Sequence, residues 1–506
     1  MHARIDVYSH HFDVTSNVSY IQELLHTFSK RFLYISSLYN TRGEVVSRLV
    51  KVYAAANKDR TIIRYHINAY YDFIEFLKDR HVNFNNIEIV DHPILLSTPV
   101  NFTINSNYTP RDTQVPVIEY IIDKKHPRFK LLALDTGEGK TISTFFAMKE
   151  LGLRTVVLLR PSYIDRWLDE INKVMINPKV MTVVGPDLKK LIKLAIDNKL
   201  DYDILLISNK TFQVFLKNYE ELGDNIGDAG FDCTPDQFFS LIKADFRVID
   251  EVHQDFHLNF KIDLYTHIYF SLSLSATLNN FNDTLDNLYS LAYPKSLRYH
   301  TVKPEKYRRM ITVFYSIDSE YNIRDSNRGI RAYSHVVYEN SILKYKRLRK
   351  DYLKMIYTLT QLYFLEKRSN EDKLIIFAGT IEMCENIVHY LKNRLPNISI
   401  EKYTGEDDYS NLIDPVIRVT TPASGGTAHD IPNLTTIIMT VAVDSMQINL
   451  QIFGRLRNLK GKELNYICLV NQDHTKHMSY HKKREKLLSG RCLSNRHETY
   501  PDVLGG

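Results

Sequence analysis

Ten short, largely apolar runs set between helical stretches constrain this chain more than any other feature. Five lie before residue 300: Arg128-Phe-Lys-Leu-Leu-Ala-Leu134, Thr155-Val-Val-Leu-Leu159, Asp203-Ile-Leu-Leu-Ile207, Phe246-Arg-Val-Ile249 and Ile268-Tyr-Phe-Ser-Leu272. Five follow residue 370: Lys373-Leu-Ile-Ile-Phe377, Ile400-Glu-Lys-Tyr403, Val416-Ile-Arg-Val419, Thr436-Ile-Ile-Met439 and Tyr466-Ile-Cys-Leu-Val470. Strands without polar alternation must be covered on both faces, which in a strand–helix alternation means a parallel sheet between helix layers. The fold class expected is α/β: two tandem domains, joined by a helical, basic connection over about 300–370. Ahead of them, β-branched runs such as Thr61-Ile-Ile-Arg-Tyr65 accompany a helix on which Tyr70, Phe73, Ile74 and Leu77 share a face. This predicts a small α+β N-terminal domain over 1–105, then α/β domains over 106–300 and 301–506, with the turn-rich Asn101–Pro110 at the first boundary.

Composition excludes several classes. With 44% hydrophobic and 25% charged residues, the 506-residue chain can bury real cores and is not disordered. The net charge of +6 permits an anionic partner without requiring one. The excess falls mainly after residue 300, in Lys344-Tyr-Lys-Arg-Leu-Arg-Lys350 and in a tail around His481-Lys-Lys-Arg484. Cys233, Cys384, Cys468 and Cys492 are far apart and read as free thiols in a reducing compartment. The N-terminus has no apolar core of signal-peptide length, and no run approaches the ~20 residues of a membrane helix. A cytoplasmic protein without membrane contact is expected.

The first run leads into Leu132-Ala-Leu-Asp-Thr-Gly-Glu-Gly-Lys-Thr-Ile-Ser-Thr144. This is a phosphate-loop pattern with Leu134 where G-x-x-x-x-G-K-[ST] has its first glycine, and it stands between a strand and a helix as the motif requires. Backbone N–H groups of Thr136, Gly137, Glu138 and Gly139 would cradle phosphates at the helix N-terminus. Lys140 would reach the β/γ-phosphates, and the Thr141 hydroxyl would ligate Mg²⁺. At the end of a later strand, Val248-Ile-Asp-Glu-Val-His253 pairs Asp250, for the cation, with Glu251, which would polarise a water. Ser275-Ala-Thr277 offers hydroxyls after the fifth strand, and Gln451-Ile-Phe-Gly-Arg-Leu-Arg457 offers a glutamine and two arginines suited to a transferring phosphoryl group.

In this order, the set resembles the superfamily 2 helicases and translocases over roughly residues 108–470. Gln114 looks like the family's adenine-reading glutamine, and Asp135–Thr141 like motif I, which in that family commonly lacks the leading glycine. Leu159-Arg-Pro-Ser-Tyr163 with Trp167 and Glu170 resembles motif Ia, Ile207-Ser208 motif Ib, Asp250–His253 motif II and Ser275–Thr277 motif III. Ile375–Ala378 and Tyr403-Thr-Gly405 resemble motifs IV and IVa, Thr420-Thr421 through Asp430-Ile-Pro432 motif V, and Gln451–Arg457 motif VI. The resemblance implies two RecA-like domains, ATP and Mg²⁺ as cofactors, Asp430 at the nucleotide, and Ser275 and Thr277 coupling hydrolysis to movement. It also implies backbone contacts to nucleic acid from Arg160, Ser162, Ser208, Thr404, Thr420 and Thr421. Two departures stand out: the family's last motif VI arginine would fall at 458, which is Asn, leaving Arg455 or Arg457 as the finger, and Ala428 replaces a common glycine in motif V.

Within the superfamily, size and layout resemble the UvsW-type phage recombination helicases, including the branch-migration helicases of T5-like phages. That implies ATP-driven remodelling of forked or four-way DNA in replication, recombination and repair, with a monomer expected. The same motifs also serve RNA-remodelling helicases and double-strand translocases that separate nothing. A scaffold with a degenerate ATP site is the remaining alternative.

Overall fold

The computed structural model describes residues 2–39, 45–57, 60–124, 129–134, 138–275, 283–300, 306–326, 333–404, 407–408, 410–425 and 431–506. They fall into two compact units, one of residues up to His300 and one of residues beyond it.

Among the described residues the first unit holds two larger sheets and the two-stranded pair Leu33–Tyr39 with Val45–Val52. In the N-terminal one, Ala3–Val7 pairs antiparallel with His11–Thr15 and parallel with Ile87–Asp91, and Ile62–His66 extends it beyond His11–Thr15. The predicted helix forms over Tyr70–Asp79 and buries Phe73, Phe76 and Leu77, with Phe73 against Phe12 and Phe28. The second sheet has seven strands, all parallel, in the order Val180–Val183, Ile204–Ser208, Thr155–Leu159, Phe246–Ile249, Phe270–Ser275, Phe129–Ala133 and Arg298–His300. Its central strands are buried throughout, as apolar runs covered on both faces must be.

Polar contacts tie the two sheets together. Arg64 grips Asp13 with both Nε and Nη2 at 2.7 Å, and its Nη1 reaches Asp236 at 2.5 Å and the Leu264 carbonyl at 2.9 Å. Deeper, Arg247 lies on a central strand with no exposure, its Nη2 2.5 Å from Asp263 and its Nη1 donating to Thr266. His66 of the N-terminal sheet stands 3.5 Å from the other Asp263 oxygen.

The second unit repeats the plan with seven parallel strands: Ile400–Tyr403, Ile417–Thr420, Lys373–Phe377, Leu434–Met439, Leu464–Asn471, Arg308–Tyr315 and Cys492–Thr499. The fold class expected from the sequence is thus the observed one, two RecA-like α/β domains with a small N-terminal α+β region.

Two local expectations are corrected. The 300–370 stretch is not wholly helical: Arg308–Tyr315 is a strand, and among the described residues its helices begin at His335–Lys344 and Lys346–Thr360. Arg308 marks that strand as charged in the sequence, yet its side chain is buried, donating to the Leu456 carbonyl at 2.8 Å and lying over Phe453. The basic tail is likewise not a free extension. Thr475–Leu488 is a helix burying His477, His481, Arg484 and Leu488, and Cys492–Thr499 closes the sheet. All four cysteines are buried free thiols, and no described helix is long and apolar enough to cross a membrane.

Candidate active site

In a parallel sheet, all strands deliver their C-terminal ends to one edge, so loops leaving that edge converge. The helix Lys140–Leu151 starts there, entered through Gly139 at φ 81°. Lys140 is buried, and its Nζ donates to the Leu134 carbonyl at 2.9 Å, so the ammonium is folded back over the loop it follows. Thr141 is buried beside it, and Glu138 is partly exposed. Asp135, Thr136 and Gly137 lie outside the described residues.

Gln114 is buried against this loop. Its Nε2 donates to the Gly139 carbonyl at 3.4 Å, and its Oε1 accepts the Arg111 N–H at 3.0 Å. A Cβ on residue 139 would overlap the Gln114 amide and stand 2.8 Å from the Arg111 guanidinium. Gly139→Ala therefore combines left-handed strain of ~1–2 kcal/mol with a displaced Gln114. Nucleotide affinity, measured with a fluorescent ATP analogue, should fall ~10-fold or more, the equivalent of 1.4 kcal/mol.

Asp250 and Glu251 follow the strand Phe246–Ile249. Asp250 is buried; its Oδ2 accepts the Trp167 Nε1–H at 2.8 Å, and its Oδ1 accepts the Glu251 backbone N–H at 3.0 Å. Burial, then the neighbouring Glu251 charge, push its carboxyl up, while Arg166, the Trp167 N–H and Lys140 pull it down. Glu251 holds φ 48°, an uncommon conformation for a residue with a side chain. Among the described residues, its buried Oε2 finds no hydrogen-bond partner. Left-handed strain plus an unsatisfied buried carboxylate oxygen is costly, and such outliers cluster where the chemistry needs them.

His253 links this loop to the next strand, its Nδ1 sharing a 2.7 Å hydrogen bond with Ser275 Oγ and lying 3.4 Å from Glu251 Oε2. Burial and the Lys140 charge push the imidazole down to about 3, so it is neutral at physiological pH. Thr277 lies outside the described residues. Lys140, Thr141, Asp250, Glu251 and Ser275 thus all stand at one sheet edge, and Gln114, at the start of the helix Val115–Ile122, packs against the loop there. No local pattern announces the Trp167 and His253 bonds, which join motifs far apart in the chain.

The residues fit a magnesium-bound nucleoside triphosphate. A buried lysine and a helix N-terminus suit anionic phosphate oxygens, and the crowded Asp250–Glu251 carboxylates would be relieved by a divalent cation.

Of the three first-unit residues expected at nucleic acid, Arg160 is engaged internally. Its Nε and Nη2 clasp Asp255 at 2.6 and 2.9 Å, and Asn209 donates to the same carboxylate at 2.7 Å. Ser162 is exposed on the short turn Pro161–Tyr163, and Ser208 is buried at its strand end.

In the second unit, Thr404 is buried and donates to Asp407 at 2.7 Å. Thr420 is buried at its strand end, and Thr421 Oγ1 accepts the Ser424 N–H at 3.2 Å, opening the turn Pro422–Gly425. Asp430 lies outside the described residues. Gln451 is buried on the helix Met446–Phe453; beyond it Arg455 is buried, Arg457 is half-buried and Asn458 is exposed. Arg455 is near enough to Tyr403 for its charge to oppose the upward push of burial on that phenol.

Residues 107–280 match the family described as type III restriction enzyme, res subunit. The match spans every first-unit motif named above, and with the twin sheets it supports a helicase of superfamily 2. No curated protein matches the chain in sequence. Among solved structures, an HsdR subunit fragment of a type I restriction enzyme from Vibrio vulnificus is similar at 14% identity and a TM-score of 0.50, covering 95% of this chain and 82% of that one. T4 UvsW aligns over 99% of both chains at 12% identity and a TM-score of 0.35. S. cerevisiae Dbp5 bound to RNA and ADP BeF3 aligns over 77% of this chain and 90% of that one, at 11% identity and a TM-score of 0.49.

Proposed function

We propose that this chain is a nucleic-acid-stimulated ATPase that remodels branched DNA, such as forks and four-way junctions. The observation that carries the ATPase reading is the convergence of buried Lys140 with the Asp250–Glu251 pair on one sheet edge, Glu251 being held at φ 48°. Bound Mg–ATP supplies the transferable phosphoryl group and a cation that offsets its charge. Lys140 and the helix N-terminus hold the phosphates, Thr141 and Asp250 hold the cation and its waters, and Gln114 reads the base beside the loop. Glu251 takes the proton from the attacking water. On the second unit, Gln451, Arg455 and Arg457 are the residue types suited to a transferring phosphoryl group.

His253 and Ser275 carry the change at Glu251 into the adjacent strand through their 2.7 Å bond. Ser162, on its exposed turn, and the half-buried Thr421 track the nucleic-acid backbone, and Arg160 joins them by exchanging Asp255 for a phosphate. Such contacts carry no base information, so recognition depends on structure and salt. The preference for DNA rests on the restriction-enzyme family match and on a small N-terminal unit placed ahead of two α/β domains.

Steady-state ATPase rates with duplex, single-stranded, forked and four-way DNA and with RNA test this reading. Branched DNA should stimulate most, and ATP-dependent conversion of four-way junctions to duplex products should accompany it. Stimulation by RNA alone would sink the DNA reading, and an unstimulated, inactive parent would favour a scaffold.

A further inference from the structure

Among the described residues, His481, Glu485 and His497 bring one ligand atom each within 4.8 Å of one another, remote in the sequence from the motifs assigned above. His481 and Glu485 are one turn apart on the helix Thr475–Leu488, and so share a face. His497 comes from the strand Cys492–Thr499. We propose that these three side chains bind one divalent transition-metal ion, with zinc the best fit, fastening the edge strand to the helix that precedes it.

The spacing suits such an ion. Donor atoms about 2.0–2.2 Å from a tetrahedral zinc stand roughly 3.3 Å apart. Here His497 Nε2 is 2.8 Å and His481 Nε2 3.8 Å from the two Glu485 oxygens, values that bracket that separation. Two imidazoles and a carboxylate are borderline ligands that favour zinc over magnesium or calcium, and they leave a fourth position for water.

The surroundings hold the donors in place. Phe314 meets both imidazoles edge-on, at 5.3 Å for His481 and 5.6 Å for His497. Asn495 donates to Glu485 at 2.5 Å, a contact behind the ligand of the kind that orients metal-binding carboxylates. His481 is buried, and burial pushes its imidazole down to about 4, so it is a neutral ligand at physiological pH. Arg484 and Lys482 also act on His481 and oppose a cation, while Glu485 favours one. Binding would replace the 2.8 Å hydrogen bond between His497 Nε2 and Glu485.

The test uses the full chain, stripped with a chelator and free of nucleotide, titrated with Co²⁺ and followed by visible absorption. One equivalent should give nitrogen- and oxygen-ligated bands that Zn²⁺ displaces. His497→Ala, at an exposed position, and Glu485→Gln should each abolish that equivalent while leaving the unloaded thermal midpoint within a few degrees of the parent. Asn495→Ala should weaken binding about 10-fold. The chain has 19 histidines, so His389→Ala serves as a control that should keep the signal. Bands absent from the parent, or unchanged in both His497→Ala and Glu485→Gln, would overturn the proposal.

Discussion

Glu251→Gln should lower saturated ATP turnover by about 10²–10⁴-fold, the range a positioned general base contributes, while ATP binding stays within a few-fold of the parent. The amide keeps the size of the side chain and its place at φ 48°, but it cannot accept a proton. Single-turnover hydrolysis with stopped-flow phosphate detection separates the chemical step from release, and fluorescent-analogue titration gives affinity. Equal turnover in the variant would remove Glu251 from the chemistry. Loss of binding together with turnover would make it a structural residue. Lys140→Ala provides the contrast, because losing the ammonium proposed to hold the phosphates should weaken binding as well as turnover.

Asp263→Ala should destabilise the first unit by about 3–5 kcal/mol, the cost of leaving one member of a buried ion pair uncompensated. Arg247 has no exposure and cannot reach water once its partner is gone. Burial pushes the Asp263 carboxyl up, but the Arg247 charge and the His66 hydrogen bond outweigh it and bring it to about 2. Because the folded value lies below that of the unfolded chain, the stabilisation is complete above about pH 4 and disappears as the pH falls toward 2. Urea unfolding at pH 7 therefore reads the full effect. The double variant Arg247→Met with Asp263→Leu should recover most of the loss, since apolar replacement of a buried pair is often near neutral. A single variant as stable as the parent would show that the pair contributes nothing.

The sequence disclosed what local patterns encode and missed what the tertiary fold decides. Lys140, Asp250, Glu251 and Ser275 were readable because each stands at a fixed offset from an apolar strand whose end sets its position. The two strands flanking the second sheet's far side were not readable. Arg308–Tyr315 opens on two arginines, and the aliphatic stem of the first is buried against Phe453, which no local pattern announces. Cys492–Thr499 has a partner on one side only, so its exposed residues carry no buried-strand pattern. Arg247 in the run Phe246–Ile249 reads as a blemish in a strand until Asp263, on another element, is placed beside it. The Asp250–Trp167 and His253–Ser275 bonds join segments separated by whole strands and helices, so they too emerge only from the assembled sheet.

The order of strands in the second sheet has a consequence for biosynthesis. Arg308–Tyr315 is the first strand of its sheet to be made, yet both its neighbours, Leu464–Asn471 and Cys492–Thr499, are the last. While the chain emerges from the ribosome, that apolar ribbon has no partner until nearly all of the unit has been synthesised. Pairings so distant in sequence form slowly, and unpaired strands invite aggregation meanwhile. The first unit, whose strands are all complete by His300, can finish folding while the second is still being translated.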